Sequence, residues 1–549
     1  MQRQVRTVQR WERSESLPVR RHQHQKQATV YAYKDELDAW LEAREHQLAN
    51  ESRQFTSKAW TSVIVVSVLL VSGLAVYLIP GQITTENVRP LIVVLPFEEL
   101  GAEPMPQLAD GLTEELSTQL AIADPANLAV IARSSAMSFK GRDASPDEIR
   151  QELDVDYLVE GSIRRDGDDV RIAVRLVETA GQIQRWAATY DYNTQPWLSL
   201  QERATADIVR ELNLALGLAA PTELPATARD AEAVEHVRLG YRYFDQFDPD
   251  TLPQAINHFS AAVEIDSTLV RAHVGLAQSY CHQAFFGGIP VRQGHAEADK
   301  WAASALALNP WNADAVAVQG WVQFAYRWEW ESAERSFQQA IALGRNSPWP
   351  HWYYANYLSA LDRPDEAIEM ITAARRLDPV SEYTNVALGY ILINAGMPDD
   401  AIQHLTRVSQ RTESRFAQRF LWDAYETAGD FDGAVRILEE MDRCDASAVR
   451  QAFDEDGEMG YWRALRKCYD ARAERVPDML FSSHRAVVLT KLGEFDKAIE
   501  ELEKGYYQRS GAMAYLLIYD LDPLYSDPRF QDLLRRMAFP DQKLHPLSH

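Results

Sequence analysis

Seven triads of one small and two mostly apolar residues recur along the C-terminal three-fifths of the chain at positions i, i+4 and i+7. They are Ala255/Phe259/Ala262, Ala298/Ala302/Ala305, Ala333/Phe337/Ala340, Ala367/Ile371/Ala374, Ala401/Leu405/Val408, Ala434/Leu438/Met441 and Ala498/Leu502/Gly505. Within a triad the spacing is that of one helix face. Successive first positions differ by 43, 35, 34, 34, 33 and 64 residues. A repeat near 34 residues is one helical hairpin that buries its face only against its neighbours. The interval of 43 needs an insertion, placed at Phe285–Gly294, and the interval of 64 fits two units, one degenerate. A four-helix bundle would not hold that phase for so long.

Further marks sit where such hairpins want them: Leu239-Gly240, Leu388-Gly389, Asn309-Pro310 and Asp378-Pro379. As a set, residues 230–510 resemble tetratricopeptide repeats. The resemblance implies an all-α tetratricopeptide solenoid with a concave groove for an extended or helical peptide or protein partner. Trp311, Trp321, Trp328, Trp330, Trp349, Trp352, Tyr353 and Tyr354 cluster in the third and fourth units. Clustered aromatics suit a binding surface, but packing between helices is the favoured reading for most of them. Residues 511–549, with LDPLYSDPRFQDLLRRMAF at 521–539, read as a C-terminal cap with a polar outer face.

The second constraint is a stretch without charge. From Ala59 to Thr85 no Asp, Glu, Lys or Arg occurs, and the stretch is rich in Val, Ile and Leu. About 20 helical residues at 1.5 Å each cross the ~30 Å hydrocarbon layer. Trp60 and Tyr77 lie near its ends, and Pro80-Gly81 stops it. A transmembrane helix over 59–80 is expected, with the lipid bilayer as a partner. Charge orients it. Residues 1–58 hold 11 Lys and Arg against 8 Asp and Glu, so the whole-chain charge of -24 leaves -27 for the rest. The basic side stays inside. The expectation is a single-pass protein of a bacterial inner membrane, N-terminus cytoplasmic and C-terminal body periplasmic.

The head carries the candidate site. VRTVQRWER (5–13) places Val8 and Trp11 on one helical stripe and turns Arg6, Thr7, Gln9, Arg10 and Arg13 elsewhere. Those side chains suit guanine edges and phosphates. LPV (17–19) breaks the helix, RRHQHQK (20–26) reads as a basic turn, and ATVYAY (28–33) alternates as a strand. KDELDAWLEARE (34–45) is an amphipathic helix. The order matches a winged helix-turn-helix, with Arg6, Thr7, Gln9 and Arg10 at bases and Arg13, Arg20, Arg21, His22 and Lys26 at phosphates of double-stranded DNA. Residues 1–46 resemble the winged-helix DNA-binding domain of the excisionase and MerR type. Such domains open with a further helix and turn, and Met1 falls almost at that turn. Either the start codon is placed too late or the domain lacks its first helix.

Between membrane and repeats, residues 89–217 alternate strands and helices. Apolar runs fall at Leu91–Phe97 and 127–135, helices at 106–123 and 198–216, and strands at Tyr157–Ile163, Val170–Glu178 and Ile183–Tyr190. Asp166-Gly167-Asp168-Asp169 and Ala180-Gly181 are turn signals between those strands. The pattern β-α-β-α-β-β-β-α is a small α/β sandwich. VLPF, ADGLTEEL, IARSS and the YLVEGSIRRDGDDVRIAVRLVE stretch make it similar to the TolB amino-terminal-like (FlgO-like) domain, which implies sensing or protein contact. Asp110-Gly111 reads as a helix cap or turn in preference to an acid site. Gly161-Ser162 and Arg164-Arg165 read as a hairpin edge.

Three cysteines exclude a disulfide framework. Cys444 and Cys468 are either paired in an oxidising compartment or buried thiols, like Cys281. No phosphate loop, GxGxxG, HExxH or GxSxG motif occurs. No enzyme, metal or cofactor is expected. The chain is therefore multidomain: winged helix (α+β), single transmembrane helix, α/β sandwich and solenoid. In plan it is similar to the ToxR-like regulators. The expected function is one-component transcriptional regulation, with heads paired in a possible homodimer. The alternative is a periplasmic tetratricopeptide scaffold with a vestigial basic head.

Overall fold

The computed structural model describes residues 20–24, 27–31, 89–193, 196–218, 230–412, 414–441, 444–475 and 483–540. The chain divides into two units, Met1–Val88 and Arg89–His549. In the first unit, β1 (Arg20–His24) and β2 (Gln27–Tyr31) form an antiparallel hairpin with Arg20 opposite Tyr31 and His24 opposite Gln27. The sequence of 20–26 reads as a basic turn. The paired register instead makes Arg20–His24 a strand. The helices expected at 5–13 and 34–45 and the span expected at 59–80 lie outside the described residues. Among the described residues no helix is long and apolar enough to cross a membrane.

The second unit opens with β3 (Leu91–Val94) and β4 (Glu98–Leu100). One strand over Leu91–Phe97 was expected. Pro96 has no N–H to give a ladder, and the strand ends before it. Then follow α1 (Pro106–Ala123), β5 (Ala129–Val130), α2 (Arg133–Met137) and α3 (Pro146–Leu153). The chain continues through β6 (Tyr157–Asp166), β7 (Asp169–Glu178), β8 (Ile183–Asn193) and α4 (Trp197–Leu216). The path of the sheet is β5-β3-β6-β7-β8, with β4 also on β6. β3 pairs parallel with β5 and β6, and β6, β7 and β8 pair antiparallel. Gly167 turns β6 into β7 at φ 61°, and Gly181 stands at φ 84° before β8. Alternation along β3 splits the core between two faces. Ile92 and Val94 pack beneath α1 and α4 with Leu108, Leu112 and Ile208. Leu91 and Val93 pack on the other face with Ile149 and Leu153 of α3 and with Leu377, which belongs to the repeats.

The repeats begin as paired helices α5 (Ala231–Phe244) with α6 (Leu252–Ile265), and α7 (Val270–Phe285) with α8 (Val291–Leu308). They continue with α9 (Ala313–Trp321) and α10 (Trp330–Leu343), then α11 (Pro348–Ala360) and α12 (Pro364–Leu377). Next come α13 (Glu382–Asn394) with α14 (Pro398–Thr412), and α15 (Arg415–Ala428) with α16 (Phe431–Met441). These are helical hairpins in series. Ala255, Ala262, Ala298, Ala302, Ala333 and Ala367 are fully buried in their seams. A Cβ on Gly240 or Gly275 would come within 2.5 Å of the Phe259 ring, and one on Gly389 within 2.3 Å of Leu405. Small residues are therefore required where one helix receives the bulky residue of the next.

The interval of 43 is taken up by residues 286–290 and by an 18-residue α8. The degenerate unit is α17 (Ala446–Arg475), whose helix breaks at Asp456 and Gly457. The Cys444–Cys468 disulfide joins its start to its second half. A last hairpin pairs α18 (Ser483–Lys491) with α19 (Phe495–Gln508), ahead of α20 (Pro528–Arg536).

Candidate functional site

The described part of the basic head is the β1–β2 hairpin. It carries Arg20, Arg21 and His22 on one arm, opposite Tyr31, Val30 and Thr29. Lys26, Arg6, Thr7, Gln9, Arg10 and Arg13 lie outside the described residues. Among the described residues, Arg20, Arg21 and His22 of the nine predicted positions lie in succession on β1.

The second candidate is the inner face of the repeats, and here the expectation of an open groove is corrected. Nearly every residue of α11 is buried, from Pro348 to Ala360. A helix buried all round is a core helix, not a groove wall. Trp321, Trp328, Trp330, Trp352, Tyr353 and Tyr354 are buried, Trp349 stacks on Tyr383 at 4.1 Å, and only Trp311 of the aromatic cluster is exposed. Two pieces of the same chain cover this face. Phe247, from the turn between α5 and α6, lies against Phe286, Trp352, Tyr383 and Phe416. The C-terminal segment does the rest. Tyr515 packs on Phe324 and Tyr390, Phe539 packs on Trp330, and Trp330 Nε1 donates to the Met537 carbonyl at 2.9 Å. Met513, Leu516, Leu521, Leu524, Phe530 and Leu533 are buried as well. Residues 511–539 thus pack their apolar side chains on the array, with Arg529, Asp532 and Arg535 exposed on the outer side.

The third candidate is the seam between the α/β domain and the repeats. Asp110 reads from the sequence as a helix cap or turn. It lies instead inside α1, buried, where its Oδ2 accepts from Arg238 Nη1 of α5 at 3.0 Å and its other oxygen pairs with Lys140. The reason is that α1 already starts at Pro106, one turn earlier. Gly111 beside it leaves room for the Gln201 side chain of α4, whose Oε1 would be 2.2 Å from an added Cβ.

Glu114 pairs with Arg271 of α7 and with Arg133 at 3.6 Å, and Arg133 reaches Asp245 at 2.6 Å. Burial opposes the charge on Glu114, but Arg271 and Arg133 outweigh it and hold that carboxyl below its ordinary value. Asp245 has the opposite balance: burial pushes it up to about 6 despite Arg133. Asp378, wholly buried after α12, accepts from Ser134 and Ser135 of α2 at 2.5 Å each and from Tyr383 at 2.7 Å. Burial still raises it above the usual carboxylate range. Asn346 Nδ2 donates to the carbonyls of Ala121 and Leu128, and Ala132 N donates to the Leu377 carbonyl at 2.8 Å. The seam encloses a cleft of about 270 Å³ bordered by Gln107, Glu114, Gln201, Arg238 and Arg271. The pairs that cross the seam, such as Asp110 with Arg238, Arg133 with Asp245 and Ser134 with Asp378, join residues more than 100 positions apart, so local sequence does not reveal them.

Asp423, Glu426 and His484 are the one trio among the described residues with metal-ligand geometry. Each already has a protein partner. His484 Nε2 meets Glu426 at 2.6 Å and Nδ1 meets the Tyr469 hydroxyl at 2.7 Å. Tyr461 donates to Glu426 at 2.6 Å, and Arg419 pairs with Asp423. The arrangement is a satisfied polar network between α15, α17 and α18.

Comparison with known proteins bears on this body. Residues 88–207 match the profile of the HilA/YgeH-like transcriptional regulator, second domain. Transcriptional regulator HilA of Salmonella typhimurium is 23% identical over 262 residues, 47% of this chain and 46% of its own length. "Putative adenylate cyclase 3" of Rhizobium meliloti (strain 1021) is 29% identical over 191 residues, 34% of this chain and 32% of that protein. The chain spans about a third to about half the length of the curated relatives it matches. Among solved structures, the pilus biogenesis factor PilW is 14% identical with TM-score 0.29, over 38% of this chain and 91% of PilW. The tetratricopeptide protein YrrB is 20% identical with TM-score 0.23, over 33% of this chain and 90% of YrrB.

Proposed function

We propose that this chain is a membrane-anchored one-component transcriptional regulator. The observation that carries the reading is the match of residues 88–207 to a domain of HilA/YgeH-like regulators, in a chain whose first 34 residues hold eight Lys and Arg against two Glu. In this reading residues 1–46 form a winged helix-turn-helix whose wing is the β1–β2 hairpin. Residues 59–80 cross the inner membrane, and 89–217 form a TolB amino-terminal-like sensory domain. The Cys444–Cys468 disulfide supports an oxidising, periplasmic location for the body, since such bonds persist outside the reducing cytosol. The body works by binding and not by catalysis. A peptide, protein or envelope signal acts on the seam or on the outer faces of the repeats, because the inner face is occupied by the chain itself.

Arg6, Thr7, Gln9 and Arg10 then read bases, and Arg13, Arg20, Arg21, His22 and Lys26 hold phosphates. Binding of the full chain to its operator tests the division. Arg10→Ala relaxes base preference at one position. Lys26→Ala weakens every sequence alike and lowers the salt slope by about one. Equal effects of the two substitutions on specific and non-specific DNA contradict it.

A second reading, a periplasmic scaffold with a vestigial basic head, is favoured by the charge of the body. Residues 59–549 carry -27, which suits protein partners and repels nucleic acid.

A further inference from the structure

The two ends of the six-stranded sheet are finished differently. At the β5 end the repeats close it: Ala132 N, just past β5, donates to the Leu377 carbonyl. At the other end β8 runs for eleven residues with β7 on one side. Among the described residues no group bonds to the main chain of β8 on its other side. One row of its N–H and C=O groups therefore faces outward. Such an edge is a template for another strand, and proteins blunt it with proline, shortness, charges, coverage or a β-bulge. The bulge of β8 lies near its start, at Arg185, and leaves Trp186–Asn193 regular.

β8, IQRWAATYDYN, has no proline and is long. Its two charges are opposite in sign and symmetrically placed, Arg185 and Asp191 on either side of Ala188. Their side chains are 51% and 66% exposed. We propose that β8 pairs antiparallel with β8 of a second copy of this chain about a two-fold axis at Ala188, so that two sheets become one.

A closed two-fold contact between identical strands is necessarily antiparallel. In this register Arg185 faces Asp191 of the second copy, Trp186 faces Tyr190, and Ala187 faces Thr189. Opposite charges and aromatic pairs across strands are both stabilising. A slip of one residue in either direction sets Arg185 against Tyr190 or Tyr192 and separates the charges. It also turns each side chain to the wrong face. Within one chain Arg185 bonds Glu178, and Arg171 bonds Asp191 at 2.6 Å. Pairing two copies links these into a run of alternating sign, Glu178, Arg185, Asp191, Arg171, across each half of the seam. Arg185 is the extra residue of a β-bulge, since Leu176 pairs with Trp186 and Val177 with Gln184, and the ladder runs in register from Trp186 to Asn193, the stretch that carries the two-fold pairing.

The test is cross-linking of the full chain in its host membrane. Cα atoms of directly opposed residues in an antiparallel pair lie about 4.5–5.5 Å apart, inside the range a disulfide spans. Of the native thiols, Cys281 is buried and Cys444 and Cys468 are already joined. Ala188→Cys is expected to give a covalent dimer on mild oxidation, and Ile183→Cys, opposite Asn193, is not. On the Ala188→Cys background, Arg185→Asp or Asp191→Arg alone slows cross-linking about fivefold, and the two together restore it. Circular dichroism confirms that each variant is folded. No Ala188→Cys dimer in folded protein, equal cross-linking through Ile183→Cys, or no rescue by the double charge swap overturns the proposal. The readout needs no DNA, so its failure is separate from failure of the regulator reading.

Discussion

Asp110 and Arg238 are 128 positions apart in the chain, yet their carboxylate and guanidinium meet at 3.0 Å where the α/β domain docks on the first repeat helix. Both side chains are largely buried, 8% and 17% exposed. Arg238 also holds Glu235, which keeps its guanidinium firmly charged. Removing one partner of such a pair leaves the other desolvated. Arg238→Met is expected to lower the stability of the whole body by about 2 kcal/mol, and Asp110→Asn by a similar amount. Denaturant unfolding of both singles and the double measures the coupling, which should be about 1–2 kcal/mol. Strict additivity would mean that the two side chains do not sense each other.

The raised Asp245 gives a pH dependence with a definite sign. Burial pushes it up to about 6 in the fold from an ordinary 3.8, with Arg133 opposing the shift and Asp378 and Glu114 adding to it. The folded state then binds more protons than the unfolded state between those two values. Stability from this group therefore falls as pH rises from about 4 to about 6. Glu114 works the other way: its carboxyl is held low, so its contribution is lost only as pH falls below its ordinary 4.5. Thermal unfolding across pH 4.5–6 should show the wild-type slope, flattened in Asp245→Asn.

Phe259 is packed against two glycines of neighbouring helices, Gly240 and Gly275. Phe259→Ala is expected to cost about 3–5 kcal/mol through the cavity it leaves. Gly275→Val should cost about 1–3 kcal/mol or more by forcing the ring aside. Denaturant titration reads both. An effect of Gly275→Val within a few tenths of a kcal/mol of wild type would show that the hairpin seam yields.

The Cys444–Cys468 bridge closes a loop of 24 positions around the broken helix α17. Chain-entropy arguments give about 3 kcal/mol for a loop of that length. Cys444→Ser should therefore lower stability under oxidising conditions and leave it unchanged relative to wild type under a strong reductant.

Periodicity made the repeats legible because each hairpin repeats one packing solution, a small residue opposite a bulky one. Gly240 and Gly389 announce it, and Gly275 and Gly320 do the same job with no flanking mark to reveal it. The strands β6, β7 and β8 and the helices at 106–123 and 197–216 were legible for the same local reason, whereas β4 and the helix at Arg133–Met137 were not. Asp110, Asp245 and Asp378 were not, because their roles depend on Arg238, Arg133 and Ser134, which only the docking of domain on array brings near. The closure of the array was also hidden. A segment such as Gly511–Tyr515 reads alike whether it caps an end or fills an inner face, and only contacts with Phe324 and Tyr390 decide.

The central claim is that the basic head regulates transcription by binding DNA. It is tested most directly by chromatin immunoprecipitation of the full chain in its own host, beside an Arg6→Ala/Arg10→Ala double variant shown to be present at the same level. Discrete peaks that vanish in the variant are the expected result. Enrichment no greater than in the variant would contradict it and leave the scaffold reading in its place.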